Sequence, residues 1–226
     1  MGTYKLSPSL MCADLLGLKE VLDLFAEQGV EYLHIDVMDG HYVPNFGLGM
    51  DLCRSIYTYS AIPLDIHLMV DNPDDHIASF ASLRGSVYGF HPDICPDPLK
   101  TLRRVREEGL RPGLVMKPDI PLDMLKDLMP EADLVNIMTV HPGYAGQPLV
   151  PGAMERIREA AVWIASQNLE VELEVDGNVS WENIPAMVRA GATVFVAGTS
   201  SLFSRDGNLK RNLHRFRRLL GSKLEL

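Results

Sequence analysis

Cysteine is scarce and scattered in this chain. Cys12, Cys53 and Cys95 are widely separated, contain no CxxC pair and are odd in number. That usage fits reduced thiols of a cytosolic protein and argues against a disulfide framework. Long apolar runs are also missing. Nothing approaches the ~18 consecutive apolar residues of a membrane span. The N-terminus enters a strand-like run with no charged-then-apolar leader. The expectation is therefore a cytoplasmic protein with no membrane partner. Positive charge is in deficit: 21 Lys and Arg stand against 30 Asp and Glu, for a net charge of −9. Nucleic-acid affinity rests on Lys and Arg meeting phosphates, so no nucleic-acid partner is expected. A small phosphorylated ligand stays open, because loop amides and helix N-termini hold phosphate without a basic patch.

What is present is an ordinary globular composition, 46% hydrophobic and 23% charged over 226 residues, long enough to bury a sizeable core. Strand and helix signals alternate throughout. Strand-like runs occupy 5–11, 32–38, 64–70, 87–91, 113–116, 134–140, 171–176 and 193–197. Helical patterns occupy 15–28, 73–83, 98–108, 154–167, 181–190 and 209–219, with shorter ones at 51–59 and 122–128. Gly29, Gly109, Gly191, Pro73 and Pro98 punctuate the joins, as helix ends and starts require. Eight βα units in one chain predict an α/β fold, a single (β/α)8 TIM barrel spanning 1–226. A doubly wound open sheet would use the same alternation. The count of eight favours the barrel, as do the polar residues in the inward phase of several strands.

The chemistry gathers where strands end. His34-Ile35-Asp36-Val37-Met38-Asp39-Gly40, Asp65-Ile66-His67-Leu68-Met69 and Glu174-Val175-Asp176-Gly177 each alternate polar and apolar residues just before a loop. Strand side chains repeat every two residues, so His34, Asp36 and Met38 share one face, His67 shares another with Met69, and Glu174 another with Asp176. Imidazoles and carboxylates together suit a divalent transition metal, with His34, Asp36, His67 and Asp176 as candidate ligands. Active barrels carry their sites at the C-terminal strand ends. There Asp36 and Asp176, from opposite parts of the mouth, can work as a paired base and acid. A bound metal would polarise a carbonyl and stabilise an enolate.

Met38, Met69 and Met138 share the inward phase of strands two, three and six, as core filler or as an apolar collar that keeps water from a reactive intermediate. The loops after strands six to eight are rich in small residues: Gly143, Tyr144, Ala145 and Gly146; Gly177 and Asn178; Gly198, Thr199 and Ser200. Loops after strands seven and eight are the usual phosphate site of a barrel. Ser9, in the inward phase of strand one, can bond a substrate hydroxyl or cap a loop. His76 reads as solvent-facing in a helix, His41 as a loop residue beside the site, and His214 as part of a basic, solvated helix face.

Ser7-Pro8-Ser9-Leu10, the run from His34 to His41, Val43-Pro44-Asn45, His67-Leu68-Met69-Val70, Met138-Thr139-Val140, Pro142-Gly143, Gly146-Gln147 and Val175-Asp176-Gly177 together resemble the ribulose-phosphate 3-epimerase family over nearly the whole chain. The resemblance implies a (β/α)8 barrel holding one divalent ion (zinc, iron(II), manganese or cobalt) on His34, Asp36, His67 and Asp176. It implies Asp36 and Asp176 as the acid–base pair at C3 of a ketose phosphate. It places the phosphate on the three small-residue loops, with Ser9, His67 and the methionines around the sugar. It also suggests a homo-oligomer.

The departures concern the substrate. Tyr144 and Ala145 replace the Phe and Gly usual in the pentose enzymes, His141 replaces a Glu, Asn178 a Gly, and Lys117 an Asn. The runs from Gly198 to Phe203 and from Phe90 to Asp93 look more like the allulose-6-phosphate 3-epimerase branch. Thr199, Ser200 and Asn178, with His91 and His141 at the rims of strands four and six, tilt the expectation toward the six-carbon substrate. The alternative is D-ribulose 5-phosphate/D-xylulose 5-phosphate. A barrel lyase with an Asp-x-Lys-x-x-Asp pattern is disfavoured, because the run from His34 carries Met38 and no lysine. A non-catalytic sugar-phosphate binder would not need an intact acid–base pair.

Overall fold

The eight period-two runs form eight parallel strands: β1 (Lys5–Pro8), β2 (Leu33–Met38), β3 (Leu64–Met69), β4 (Val87–Phe90), β5 (Arg111–Met116), β6 (Leu134–Met138), β7 (Glu172–Asp176) and β8 (Val194–Ala197). In this computed structural model residues 4–204 and 208–221 are described. The two ends of the expected 1–226 domain, residues 1–3 and 222–226, lie outside them, as do 205–207. Strands pair in the order β1-β8-β7-β6-β5-β4-β3-β2. The remaining seam is bridged by Ser9 against His34 and by the Tyr32 N–H bonded to the Leu6 carbonyl at 3.2 Å. The sheet therefore closes into the expected (β/α)8 barrel.

Seven α-helices are described: α1 (Leu18–Glu27), α2 (Met50–Tyr59), α3 (Ile77–Phe80), α4 (Pro98–Glu107), α5 (Ala153–Ser166), α6 (Ile184–Ala190) and α7 (Leu209–Gly221). Several are shorter than their sequence pattern. Residues 15–17 form a 3₁₀ turn that Asp14 caps by accepting the Leu16 N–H, and the α-helix starts only after Gly17. Pro73 opens a 3₁₀ turn before α3. Pro185 sits in the first turn of α6, so that helix starts at Ile184 rather than Trp181, since proline suits a first turn and breaks an interior. After β5 the chain makes only 3₁₀ turns, Leu122–Leu125 and Met129–Glu131. β1 stops at Pro8 rather than residue 11, where the chain turns into a 3₁₀ segment.

Outward strand residues such as Ile35, Ile66, Leu68, Val135, Val175 and Phe195 pack with Phe25, Ile56, Leu102, Ile157 and Phe216 of the helices in one buried cluster. Each such side chain contributes about 1.5–3 kcal/mol by leaving water. Inside the barrel, Tyr32, Val87, Leu134 and Val194 form a separate apolar layer, drawn from the even-numbered strands as barrel layers are. Above it the interior turns polar. Ser7, His34, Asp65, Asn136 and Glu174 are buried there, with Ser9, Asp36 and His67 above them. A buried polar layer costs stability unless its members are paired.

Candidate active site

Register sets the cluster. His34 lies beside Asp65 and Asp36 beside His67 across β2 and β3, while Asn136 lies beside Glu174 and Met138 beside Asp176 across β6 and β7. Four side chains therefore converge at the mouth. His34 Nε2 is 3.4 Å from Asp36 Oδ1 and 3.8 Å from Asp176 Oδ2. His67 Nδ1 is 3.3 Å from Asp36 Oδ1 and 3.6 Å from Asp176 Oδ2. Both ring nitrogens are buried without a hydrogen-bond partner among the described residues, and the four ligand atoms lie within 4.8 Å of one another. Ligands about 2.1 Å from a tetrahedral centre stand about 3.4 Å apart. The spacing, the orphaned nitrogens and the mixed N/O donor set all fit one divalent ion.

The layer beneath orients these groups. His34 Nδ1 is 2.6 Å from Asp65 Oδ2, and Ser7 Oγ donates to the same oxygen at 2.8 Å. Burial opposes charge on His34, but the Asp65 and Asp36 carboxylates outweigh it and raise its pKa well above the usual imidazole range. A proton on Nε2 and a metal cation thus compete for one position. Burial, then the Asp65 charge, holds Glu174 well above the usual carboxyl range; Asn136 donates to Glu174 Oε2 at 2.7 Å. His67 Nε2 is 2.9 Å from His91 Nε2.

The two mouth carboxylates are pushed apart. Burial would raise Asp36, but His34 and His67 hold it well below the usual carboxylate range. Burial raises Asp176; His34 pulls against that, and the Asp36 charge adds to it. Ser9 Oγ donates to Asp36 Oδ2 at 3.0 Å. Oppositely shifted neighbours are the arrangement an acid–base pair needs.

A cleft of about 560 Å³, open mouth included, lies over the cluster. It is lined by Asp36 and Asp176; by Ser9, Met38, Met69 and Met138; and by Gly143, Tyr144, Ala145, Gly146, Gly177, Asn178, Gly198, Thr199 and Ser200. The sequence-selected residues thus come together, except that His34 and His67 lie beneath the lining. Gly177 has φ +110, and a Cβ there would meet Val140 Cγ2 at 2.6 Å, so only glycine brings this backbone into the cleft. Asn178 ties two loops together by donating to the Gln147 carbonyl at 2.8 Å. Tyr144 Oη donates to the Pro44 carbonyl at 2.6 Å, and Asn45 donates to the Gly143 carbonyl at 2.7 Å, fastening the loop after β6 to the loop after β2.

Two expected rim residues differ. His91 is not at the rim: it is fully buried, between the His67 ring and a Tyr42 ring 4.7 Å away. His141 does line the cleft, but it is half-exposed and paired with Asp119 at 3.4 Å. His76 and His214 are exposed as expected; His41, read as a loop residue beside the site, is also exposed and does not line the cleft. Sequence reasoning assigned no role to Met11, Cys12, Val140, Gln147, Val179 and Val196, which also line the cleft. Asp65 and Glu174 were visible in the right phase, two residues before His67 and Asp176, and that spacing is the signal for a supporting layer.

Solved structures share the fold at low identity. A mutant tryptophan synthase alpha-subunit from Pyrococcus furiosus superposes with a TM-score of 0.67 at 15% identity, covering 98% of this chain and 100% of that one. A thiamine phosphate pyrophosphorylase from the same organism gives 0.63 at 12%, covering 96% and 95%. Sequence relatives are nearer. Ribulose-phosphate 3-epimerase 1 of Cupriavidus necator is 38% identical over 220 residues, covering 94% of this chain and 91% of its own. The ribulose-phosphate 3-epimerase of Escherichia coli is 36% identical over 201 residues, covering 88% and 89%, and that of Bacillus subtilis is 33% identical over 197, covering 87% and 91%. The family model described as "Ribulose-phosphate 3 epimerase family" matches residues 5–203. By that match, and by relatives this similar over this much of its length, the chain belongs to the ribulose-phosphate 3-epimerase family, a family of isomerases.

Proposed function

We propose that this chain interconverts D-ribulose 5-phosphate and D-xylulose 5-phosphate by inverting C3. The observation that carries the reading is the pair of mouth carboxylates, Asp36 from β2 and Asp176 from β7, meeting at one cluster with His34 and His67. A ketose loses its C3 proton readily because the adjacent C2 carbonyl takes up the electron pair as an enediolate. Asp36, held ionised, accepts the proton from one face. Asp176, with its raised pKa, returns a proton to the other face, and the roles exchange in the reverse direction. His34, Asp36, His67 and Asp176 would hold the divalent ion, which supplies positive charge to the developing enediolate oxygens. Ser9 orients Asp36. Met38, Met69 and Met138 exclude water from the intermediate. The loops at 143–146, 177–178 and 198–200 hold the phosphate, so that remote binding energy positions C3.

The five-carbon substrate replaces the six-carbon expectation. The similar relatives are named ribulose-phosphate 3-epimerases. His91, counted on for an extra hydroxymethylene, is turned away from the cleft and engaged with His67. The test is the ratio of kcat/KM on D-ribulose 5-phosphate and D-allulose 6-phosphate, measured on metal-loaded and chelator-stripped protein. The expected result is a clear preference for the pentose, lost on stripping and regained with a divalent ion. A preference for the hexose would return the reading to the allulose branch.

A further inference from the structure

The two imidazoles of the cluster are backed by different chemistry. Behind His34 stands a carboxylate, Asp65, 2.6 Å from Nδ1. Behind His67 stands another imidazole, His91, with the two Nε2 atoms 2.9 Å apart. A contact between two imidazole nitrogens is a hydrogen bond only when one carries the proton and the other does not. We propose that His91 is a positioning residue: its bare Nε2 accepts the His67 Nε2–H and so fixes His67 in the tautomer that turns an unprotonated Nδ1 toward Asp36 and Asp176. The assignment rests on the reading that this cluster holds a divalent ion.

The opposite arrangement removes a ligand. A proton on His91 Nε2 would make His67 Nε2 the acceptor and move the His67 proton to Nδ1, the atom 3.3 Å from Asp36 Oδ1. The surroundings of His91 favour a neutral ring, as an accepting Nε2 requires. The ring is fully buried, so water does not compete for it. Tyr42 covers one face, at 4.7 Å between centroids and 36° between planes. The Lys117 ammonium lies 5.1 Å from the Tyr42 ring centre and 2.7 Å from Asp93 Oδ2, and its charge disfavours a second one on His91. His67 turns Nδ1 toward Asp36 and Asp176, so as a ligand it carries its proton on Nε2, and the facing His91 Nε2 is the acceptor; the one proton of a neutral His91 ring is then on Nδ1. Tyr42 lies in the loop after β2 and Lys117 directly follows β5, so a second strand end supports the ring that covers His91.

Outer partners of metal-bound histidines are worth about 10–100-fold in metal affinity. The test is zinc affinity, by competition with a chelating dye, for wild type, His91→Phe and His91→Gln, with thermal midpoints of the metal-free proteins taken alongside. His91→Phe keeps a ring under Tyr42 but removes the acceptor, and is expected to weaken zinc by about 10–100-fold. His91→Gln offers a carbonyl oxygen to the same N–H and is expected to recover most of that loss. Zinc binding by His91→Phe equal to wild type, or a loss in His91→Gln as large as in His91→Phe, overturns the assignment. Nitrogen NMR of the zinc-loaded wild type checks it without any variant: His91 Nε2 should be unprotonated, and a proton found there overturns it. A wild type that binds no zinc and no other divalent ion refutes the metal reading itself, an outcome distinct from a wild type that binds and a His91→Phe that matches it.

Discussion

Asp39 shows how single residues tie the strand ends to their loops. Its Oδ1 accepts the N–H of His41 at 2.7 Å and of Tyr42 at 2.9 Å, and its Oδ2 accepts the N–H of Asp71 at 2.7 Å. It therefore joins the loop after β2 to the end of β3, the two strands that carry His34, Asp36 and His67. Burial alone would raise its pKa, but the three N–H donors lower it. A folded pKa below the unfolded value of about 3.9 stabilises the fold fully above that value and loses the contribution as pH falls through the folded one. Asp39→Ala should cost about 1–3 kcal/mol at neutral pH, with a smaller difference from wild type as pH drops below about 4. Denaturant unfolding at both pH values checks this; an equal loss at both would contradict it. At this scale much of the cluster was legible. Period-two alternation picks out His34, Asp36, His67 and Asp176 without any structure. It does not say how deep a residue lies, because depth is set by the stagger of neighbouring strands. Asp65 and Glu174 share the phase of His67 and Asp176, yet register places them one layer lower. His91 follows the last residue of β4, and no periodicity reveals that Tyr42, far away in sequence, closes over it.

Between the elements, the loops carry what the strands cannot specify. All eight strands were legible because a buried barrel strand needs a run of apolar outward residues. Their ends were not, since Pro8 and Thr139 turn the chain earlier than the apolar runs suggest. Thr139 donates to the Asp176 carbonyl at 3.0 Å, bending β6 over the end of β7. The helix expected at 122–128 became two 3₁₀ turns, the second holding Pro130, whose missing N–H and ring work against a helix continuing through it. The loop after β6 is fastened across the cleft by the Tyr144 hydroxyl on the Pro44 carbonyl, a bond that the phenylalanine usual in the pentose enzymes cannot make. An exposed hydrogen bond is worth about 0.5–1 kcal/mol, or roughly two- to fivefold in a closed population. Tyr144→Phe should therefore raise KM for the sugar phosphate about two- to fivefold without lowering kcat. Steady-state kinetics decides it. An unchanged KM would show that the bond does not hold the loop over substrate.

Across the whole molecule the barrel separates its two ends. The N-terminal end is closed by Glu172 bonded to Lys5 at 2.7 Å and Arg111 at 3.1 Å, with Tyr32 between them. That end serves the fold; the chemistry sits at the other. Among the described residues no helix is long and apolar enough to cross a membrane. The count of βα units gave the architecture away, because eight parallel strands close a barrel where five or six leave an open sheet. Substrate length was not legible, because it depends on how three loops and their hydrogen bonds fold over the mouth. The central claim is that Asp36 and Asp176 move the C3 proton between two faces of a ketose phosphate, and solvent exchange tests it most directly. Wild type, Asp36→Asn and Asp176→Asn, each loaded with a divalent ion, are incubated with D-ribulose 5-phosphate and, separately, D-xylulose 5-phosphate in heavy water, and deuterium at C3 is read by NMR. The account predicts that wild type interconverts both sugars with deuterium at C3. It predicts that each variant fails to interconvert them and exchanges the proton of one epimer only, the opposite epimer in each. Interconversion at the wild-type rate by either variant, or by wild type with no deuterium entering C3, would contradict it.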